Sequence, residues 1–254
     1  MAMIPVIDFS KLDLIKPGSL EWDWVKSQVM GALEAYNCFE ASVGRAVEHR
    51  EPVFRAMEDF FHLPFETKRL SLTTTLWPQG NISFREDNYE NDLESFGVEK
   101  YTDELIDSTN YQLRALKYEG PNTNEPVVMS VPHNDLNMIT LLYQNEINGL
   151  GIQTEAGEWI DVKPSPSSII VIIGESLSVW LNGRLSPTRH HVVTTGNRVR
   201  YVVGLFARTR GGYLVKAPNE LWMMKIRGSS NPMTTKTSLN ISPPNLIRET
   251  GQIL

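Results

Sequence analysis

His133-Asn134-Asp135 places an imidazole and a carboxylate two residues apart. On an extended segment, residues i and i+2 project to the same face, so both side chains can reach one point. An imidazole nitrogen and a carboxylate oxygen, joined by a second imidazole from elsewhere, make the facial set that holds non-haem Fe(II) and leaves positions open for chemistry. With 5 His and 10 Asp in 254 residues, about 0.2 such tripeptides arise by chance, so the triplet needs company. His190 supplies it, at the start of an apolar β-branched segment, and Arg200 follows ten residues later inside Arg200-Tyr-Val-Val-Gly-Leu-Phe206. An arginine in such a strand is costly to bury unless an anion pairs with it. Tyr118, upstream of His133, can add a phenolic hydroxyl beside the same anion.

These residues need rigid elements to bring them together. The apolar pattern predicts a short strand over 4–9, an amphipathic helix over 20–36, a strand over 38–43 and a second helix over 50–61. From 64 to about 107 the pattern degrades, which is unusual for so long a stretch in a folded domain. Beyond 111 come short strand candidates at 112–118, 138–143, 150–154, 159–162, 168–173, 179–181, 192–195 and 200–207. Asn148-Gly149, Ala156-Gly157, Asn182-Gly183 and Gly196-Asn197 mark the turns between them. Eight such strands predict an antiparallel double sheet or jelly roll, and helices that precede strands exclude an alternating βαβ protein.

Composition narrows the function. A net charge of −6 argues against a phosphate-backbone binder, so no nucleic acid partner is expected. Hydrophobic residues at 41% and charged residues at 21% are globular values. The single Cys38 excludes an internal disulfide framework and a cysteine zinc site, and reads as a buried apolar residue. No signal peptide or membrane-length apolar run is visible, so the expectation is a cytoplasmic protein away from membranes, with the Asn81 and Asn240 sequons fortuitous. His49 and His62 read as helix-face residues. No His-Glu-x-x-His, dinucleotide glycine motif or P-loop is present.

The His-x-Asp…His…Arg spacing resembles the plant Fe(II)/2-oxoglutarate-dependent dioxygenases. The strings Leu116-Lys-Tyr118, Thr140-Leu-Leu-Tyr-Gln-Asn145, Trp159-Ile-Asp-Val-Lys-Pro-Ser165, Ile173-Gly-Glu-Ser176, Asn182-Gly-Arg184 and Gly204-Leu-Phe206 do so as well. They are most similar to the alkenyl/hydroxyalkyl-producing clade known for glucosinolate side-chain tailoring. The resemblance implies a mainly β fold with N-terminal helices around a double-stranded β-helix (jelly roll) core. It divides the chain into an abbreviated N-terminal helical region (1–110), a jelly-roll domain (111–221) and an atypical tail (222–254). It assigns His133, Asp135 and His190 to Fe(II), with His191 the alternative that strand parity turns to the opposite face. Arg200 would clamp the distal carboxylate of 2-oxoglutarate, with Tyr118 bonding the same group. O2 is the other cosubstrate, and ascorbate an optional auxiliary. The implied reaction couples decarboxylation of 2-oxoglutarate to hydroxylation, desaturation or side-chain cleavage of a small organic substrate, by a monomer in the default case.

The sequence also departs from that family. Its Arg-x-Ser motif reads Arg200-Tyr201-Val202 here, which removes a hydroxyl from the 2-oxoglutarate carboxylate. A hydrogen bond to a charged group contributes about 1.5–3 kcal/mol, so binding of 2-oxoglutarate is expected to weaken by roughly one to two powers of ten. The position two before Tyr118 is Leu116 rather than asparagine. Helical segments that relatives carry near Leu76 and Asn91 are missing, and the resemblance stops after Leu221. There Leu-Trp-Met-Met reads as the family's Leu-Val-acidic-acidic shifted by one nucleotide, so the tail is read as out of frame. A truncated, inactive paralogue acting as a binding or dimerisation competitor is the competing expectation.

Overall fold

The β-branched runs of the second half of the chain form the centre of the molecule in the computed structural model, which describes residues 3–11, 15–16, 18–64, 67, 99–211 and 213–223. Ten strands make two sheets. One is six-stranded, in the order β1 (Val6–Asp8), β2 (Cys38–Ser42), β8 (Ser168–Ile173), β5 (Ile139–Gln144), β10 (Arg200–Thr209), β3 (Thr109–Tyr118). The other is four-stranded: β4 (Thr123–His133), β9 (His190–Gly196), β6 (Leu150–Gln153), β7 (Trp159–Asp161). Every pairing is antiparallel except β1 with β2. The expected mainly β, jelly-roll architecture is present, and β1 and β2 from the N-terminal part extend the larger sheet.

Alternation along the strands separates two cores. Leu142, Ile170, Ile172 and Val202 from the large sheet meet Leu150 and Ile152 from the small one, all buried. Each such aliphatic side chain contributes about 1.5–3 kcal/mol by leaving water. The opposite face of the large sheet, with Ile139, Val171, Ile173 and Ala207, is covered by helix α1 (Leu20–Tyr36) through Val25, Ala32 and Leu33. Helix α1 is closed at its start by Ser19, whose hydroxyl accepts from the Trp22 N–H. It ends at Asn37, whose left-handed conformation (φ 57°) directs its own N–H to the Leu33 carbonyl. Helix α2 (Ala46–His62) packs Met57 and Phe61 on Tyr201, and leaves His49 and His62 exposed as expected of helix-face residues. It starts four residues earlier than the periodicity predicts and accommodates Pro52.

Two elements differ from the sequence reading. The segment at 179–181, expected as a strand, is the end of the short helix α4 (Glu175–Trp180) and the residue after it. Asn182 (φ 54°) and Gly183 (φ 74°) then stop that helix in the left-handed region. Strand β4 was not anticipated at all. The unpatterned stretch contains a 3-10 turn (Glu99–Tyr101) and helix α3 (Thr102–Asp107) at its end. The missing family segments near Leu76 and Asn91, Asn81, Asn240 and the tail from 224 onwards lie outside the described residues. Helix α5 (Asn219–Met223) is held by Glu220, which accepts from Tyr101 Oη (2.7 Å) and pairs with Lys100. A cavity of about 280 Å3 lies between α1, α3 and the outer face of the large sheet, lined by Leu33, Leu105, Leu141 and Leu205. Leu141 and Leu205 alternate with Thr140 and Phe206 along their strands, so this cavity lies on the face away from the space between the two sheets.

Candidate active site

His133 ends β4 and His190 begins β9, and the two stand directly opposite in the ladder. Their ring centroids are 4.3 Å apart. Asp135, just beyond β4, brings a carboxylate oxygen to 3.8 Å from His133 Nε2. One ligand atom from each of His133, Asp135 and His190 lies within 4.8 Å of the other two. Each imidazole is oriented by its own backbone: His133 Nδ1 meets the Val131 carbonyl at 2.8 Å, and His190 Nδ1 meets the Thr188 carbonyl at 3.1 Å. A carbonyl only accepts, so Nδ1 carries the proton in both rings and Nε2 is left with its lone pair. Burial pushes the His190 pKa down, against the opposing pull of Asp135, which keeps that imidazole in its neutral, ligating form.

The carboxylate is supported as well. Thr140 Oγ1 donates to Asp135 Oδ2 and itself accepts from Asn137 Nδ2 at 2.8 Å. The loop carrying Asp135 is pinned by the start of α4: the Glu175 N–H donates to the Asp135 carbonyl (2.8 Å) and the Gly174 N–H to that of Met138 (2.9 Å). A Cβ on Gly174 would sit 2.0 Å from the Asn137 carbonyl oxygen, so only glycine permits this approach. His191 takes the other face. Its ring lies over Gly151, where a Cβ would come within 2.2 Å of Nε2, and stacks on Trp159 at 3.9 Å. His190 is therefore the imidazole brought to the triad, and His191 is not.

Arg200 is 1% exposed and stands opposite Tyr118 in the β3–β10 ladder, its guanidinium 5.2 Å from the phenol ring centre. Nη2 donates to Gln144 Oε1 at 2.6 Å, while Nε is buried without a hydrogen-bond partner. Burial lowers its pKa to about 10, so it stays charged at neutral pH. No carboxylate of the described residues pairs with it. A buried, charged guanidinium with a vacant donor fits the planar carboxylate of a dianion such as 2-oxoglutarate. Val202, on the same face of β10, offers that anion no donor. Thr140 and Gln144 were not singled out by sequence reasoning. The available signal was their place, two residues either side of Leu142, on the inward face of an otherwise apolar strand.

Residues 109–209 match the 2OG-Fe(II) oxygenase superfamily. Over 269 aligned positions the chain is 39% identical to a probable 2-oxoglutarate-dependent dioxygenase, AOP1, of Arabidopsis thaliana, covering 86% of this chain and 89% of that protein. The chain belongs to the 2-oxoglutarate-dependent dioxygenases. Another Arabidopsis relative, named a probable inactive 2-oxoglutarate-dependent dioxygenase, AOP2, is 28% identical to this dioxygenase over 86% of its length and 88% of the relative's. The alignment with AOP1 is longer than the 254 residues present here, so that relative holds residues with no counterpart in this dioxygenase. The fold agrees with a solved dioxygenase for auxin oxidation from Arabidopsis thaliana, with a TM-score of 0.68 at 17% identity over 86% of this chain and 97% of that one.

Proposed function

We propose that this dioxygenase binds Fe(II) through Nε2 of His133, a carboxylate oxygen of Asp135 and Nε2 of His190, and 2-oxoglutarate through Arg200 and Tyr118. The observation that carries the reading is the convergence of three ligand atoms within 4.8 Å, with each histidine held in the ligating tautomer by the backbone carbonyl two residues earlier. Iron in such a set supplies the oxygen chemistry that decarboxylates 2-oxoglutarate and oxidises a small organic substrate. The chain's own part is to hold three ligands on one side, leave the other positions open, and keep the cosubstrate's distal carboxylate against Arg200. The space between the sheets, lined by Leu142, Leu150 and Val202, excludes water around it. The product is hydroxylated, desaturated or cleaved in its side chain, the chemistry resides in 111–221, and the protein works as a cytoplasmic monomer with ascorbate as an optional auxiliary. Val202 favours a second reading, in which 2-oxoglutarate binds too weakly for turnover and the chain is an inactive paralogue.

Anaerobic titration of the protein with Fe(II) and 2-oxoglutarate separates the two. A visible charge-transfer band of the iron–keto-acid chelate that is lost in His133→Ala and in Arg200→Ala supports the enzyme. Folded protein that gives no band at saturating 2-oxoglutarate overturns it in favour of the inactive paralogue.

A further inference from the structure

The even-numbered residues of β10 face the space between the sheets, from Arg200 and Val202 through Gly204 and Phe206 to Arg208. Their partners on β3 face the same way: Tyr118 opposite Arg200, Arg114 opposite Gly204, Gln112 opposite Phe206. Arginines therefore occur at two poles of this interior, Arg200 at one and Arg114 with Arg208 at the other. Thr140, which holds the Asp135 carboxylate, stands opposite Phe206, two residues from Arg208 and six from Arg200. The triad is thus nearer the second pole.

That pole is built for a ligand with an apolar body. A Cβ on Gly204 would sit 2.7 Å from Phe206 Cε2, so the phenyl ring occupies the space a side chain there would take. The Arg114 guanidinium sits 4.8 Å over that ring, its Nε donating to Gln112 Oε1 at 3.1 Å. Arg208 lies close enough to Arg114 and to Asp135 for both charges to act on it: Arg114 disfavours its charged form, Asp135 favours it, and burial is the larger effect. Arg114, reaching over the Phe206 ring from β3, and Arg208, two residues along the inward face of β10 from that ring, thus both project into the same half-buried space, where an anionic group could meet both guanidinium forks.

We propose that Arg114 and Arg208 form a subsite for an anionic group, carboxylate or sulfate, of the organic substrate, whose apolar part rests on Phe206 and reaches toward the triad. This rests on the reading of Arg200 as the 2-oxoglutarate clamp, because the cosubstrate then fills one pole and leaves the other to the substrate.

The test loads the protein anaerobically with Mn(II) and 2-oxoglutarate and titrates it calorimetrically. The probes are phenylalkanoates of graded chain length and benzyl sulfate, each compared with its methyl ester or alcohol. One or more anions should bind about tenfold or more tighter than the neutral counterpart, and the better head group identifies carboxylate or sulfate. Arg114→Gln and Arg208→Gln should each remove about tenfold of that preference and leave 2-oxoglutarate affinity within about twofold, while Arg208→Lys retains part of it. The wild-type comparison of anion with neutral counterpart stands even if a variant fails to fold. Equal binding of acid and ester, no saturable anion binding in the millimolar range, or a preference surviving both glutamine variants overturns the subsite. A protein that binds the anions but not 2-oxoglutarate overturns the cosubstrate assignment instead.

Discussion

Thr140→Val removes one hydroxyl and keeps the side-chain shape. Thr140 is 1% exposed, and its Oγ1 is the group that fixes Asp135 Oδ2. The lost bond is to a charged carboxylate, worth about 1.5–3 kcal/mol. Asn137 Nδ2 keeps its second acceptor, the Ile139 carbonyl at 3.2 Å, so it is not stranded. Asp135 is partly open to water, which replaces some of what it loses, so the stability cost is about 1 kcal/mol, or about 2–4 °C in Tm. The larger effect falls on metal affinity, since a carboxylate free to rotate no longer aims its other oxygen at the imidazoles. Removing such a supporting group typically weakens metal binding about 10–100-fold. Titration of the apo-protein with Mn(II), following the free ion by electron paramagnetic resonance, measures it. Thr140→Ser, which keeps the hydroxyl, should bind like the wild type. A folded Thr140→Val protein with unchanged affinity, or a serine variant as weak as the valine one, refutes the reasoning.

Three further outcomes follow from the same geometry. His191→Ala should leave Mn(II) affinity unchanged while costing about 0.5–1.5 kcal/mol in denaturant unfolding, through loss of the Trp159 stack; weakened metal binding would contradict the placement of His191 outside the site. The His190 pKa lies below its ordinary value of 6.5 when folded, so the unfolded chain takes up that proton first. Its stabilising contribution is complete above pH 6.5 and is lost as pH falls toward the folded value, so apo-protein Tm should drop there and His190→Gln should lack that part of the drop. Val202→Ser should tighten 2-oxoglutarate binding by about 10–100-fold at a stability cost of roughly 1–2 kcal/mol for lost apolar burial; unchanged or weaker cosubstrate binding would show that the hydroxyl is not what this pocket lacks.

Most strands and both long helices were legible because each buries one face and shows it as periodicity. Helix α1 matches its predicted bounds, since Ser19 and Asn37 mark its ends and apolar residues recur between them. Strand β4 escaped because Pro126 and Pro132 argue against a strand and its residues are largely unburied. It is an edge strand whose pairing with β9 shifts register repeatedly, and there a proline's missing N–H costs no ladder bond. Val179, read as β-branched strand material, sits in a helix one and a half turns long, too short for periodicity to identify. The triad and the arginine could be named from spacing. Their supports could not, because Thr140, Gln144 and Gly174 matter through neighbours distant in the chain.

The two imidazoles are each steadied by the carbonyl two residues earlier, Val131 on β4 and Thr188 just ahead of β9. Their alignment is therefore set locally: β4 itself supplies one carbonyl, and the other belongs to Thr188, which is anchored by its N–H on the Ile173 carbonyl and its hydroxyl on the Asn37 carbonyl. A lineage can exchange the layers beyond those contacts and inherit the metal cage unchanged. What such editing alters is access and choice of guest, so shortened members of the family are a natural source of altered selectivity rather than simple wreckage.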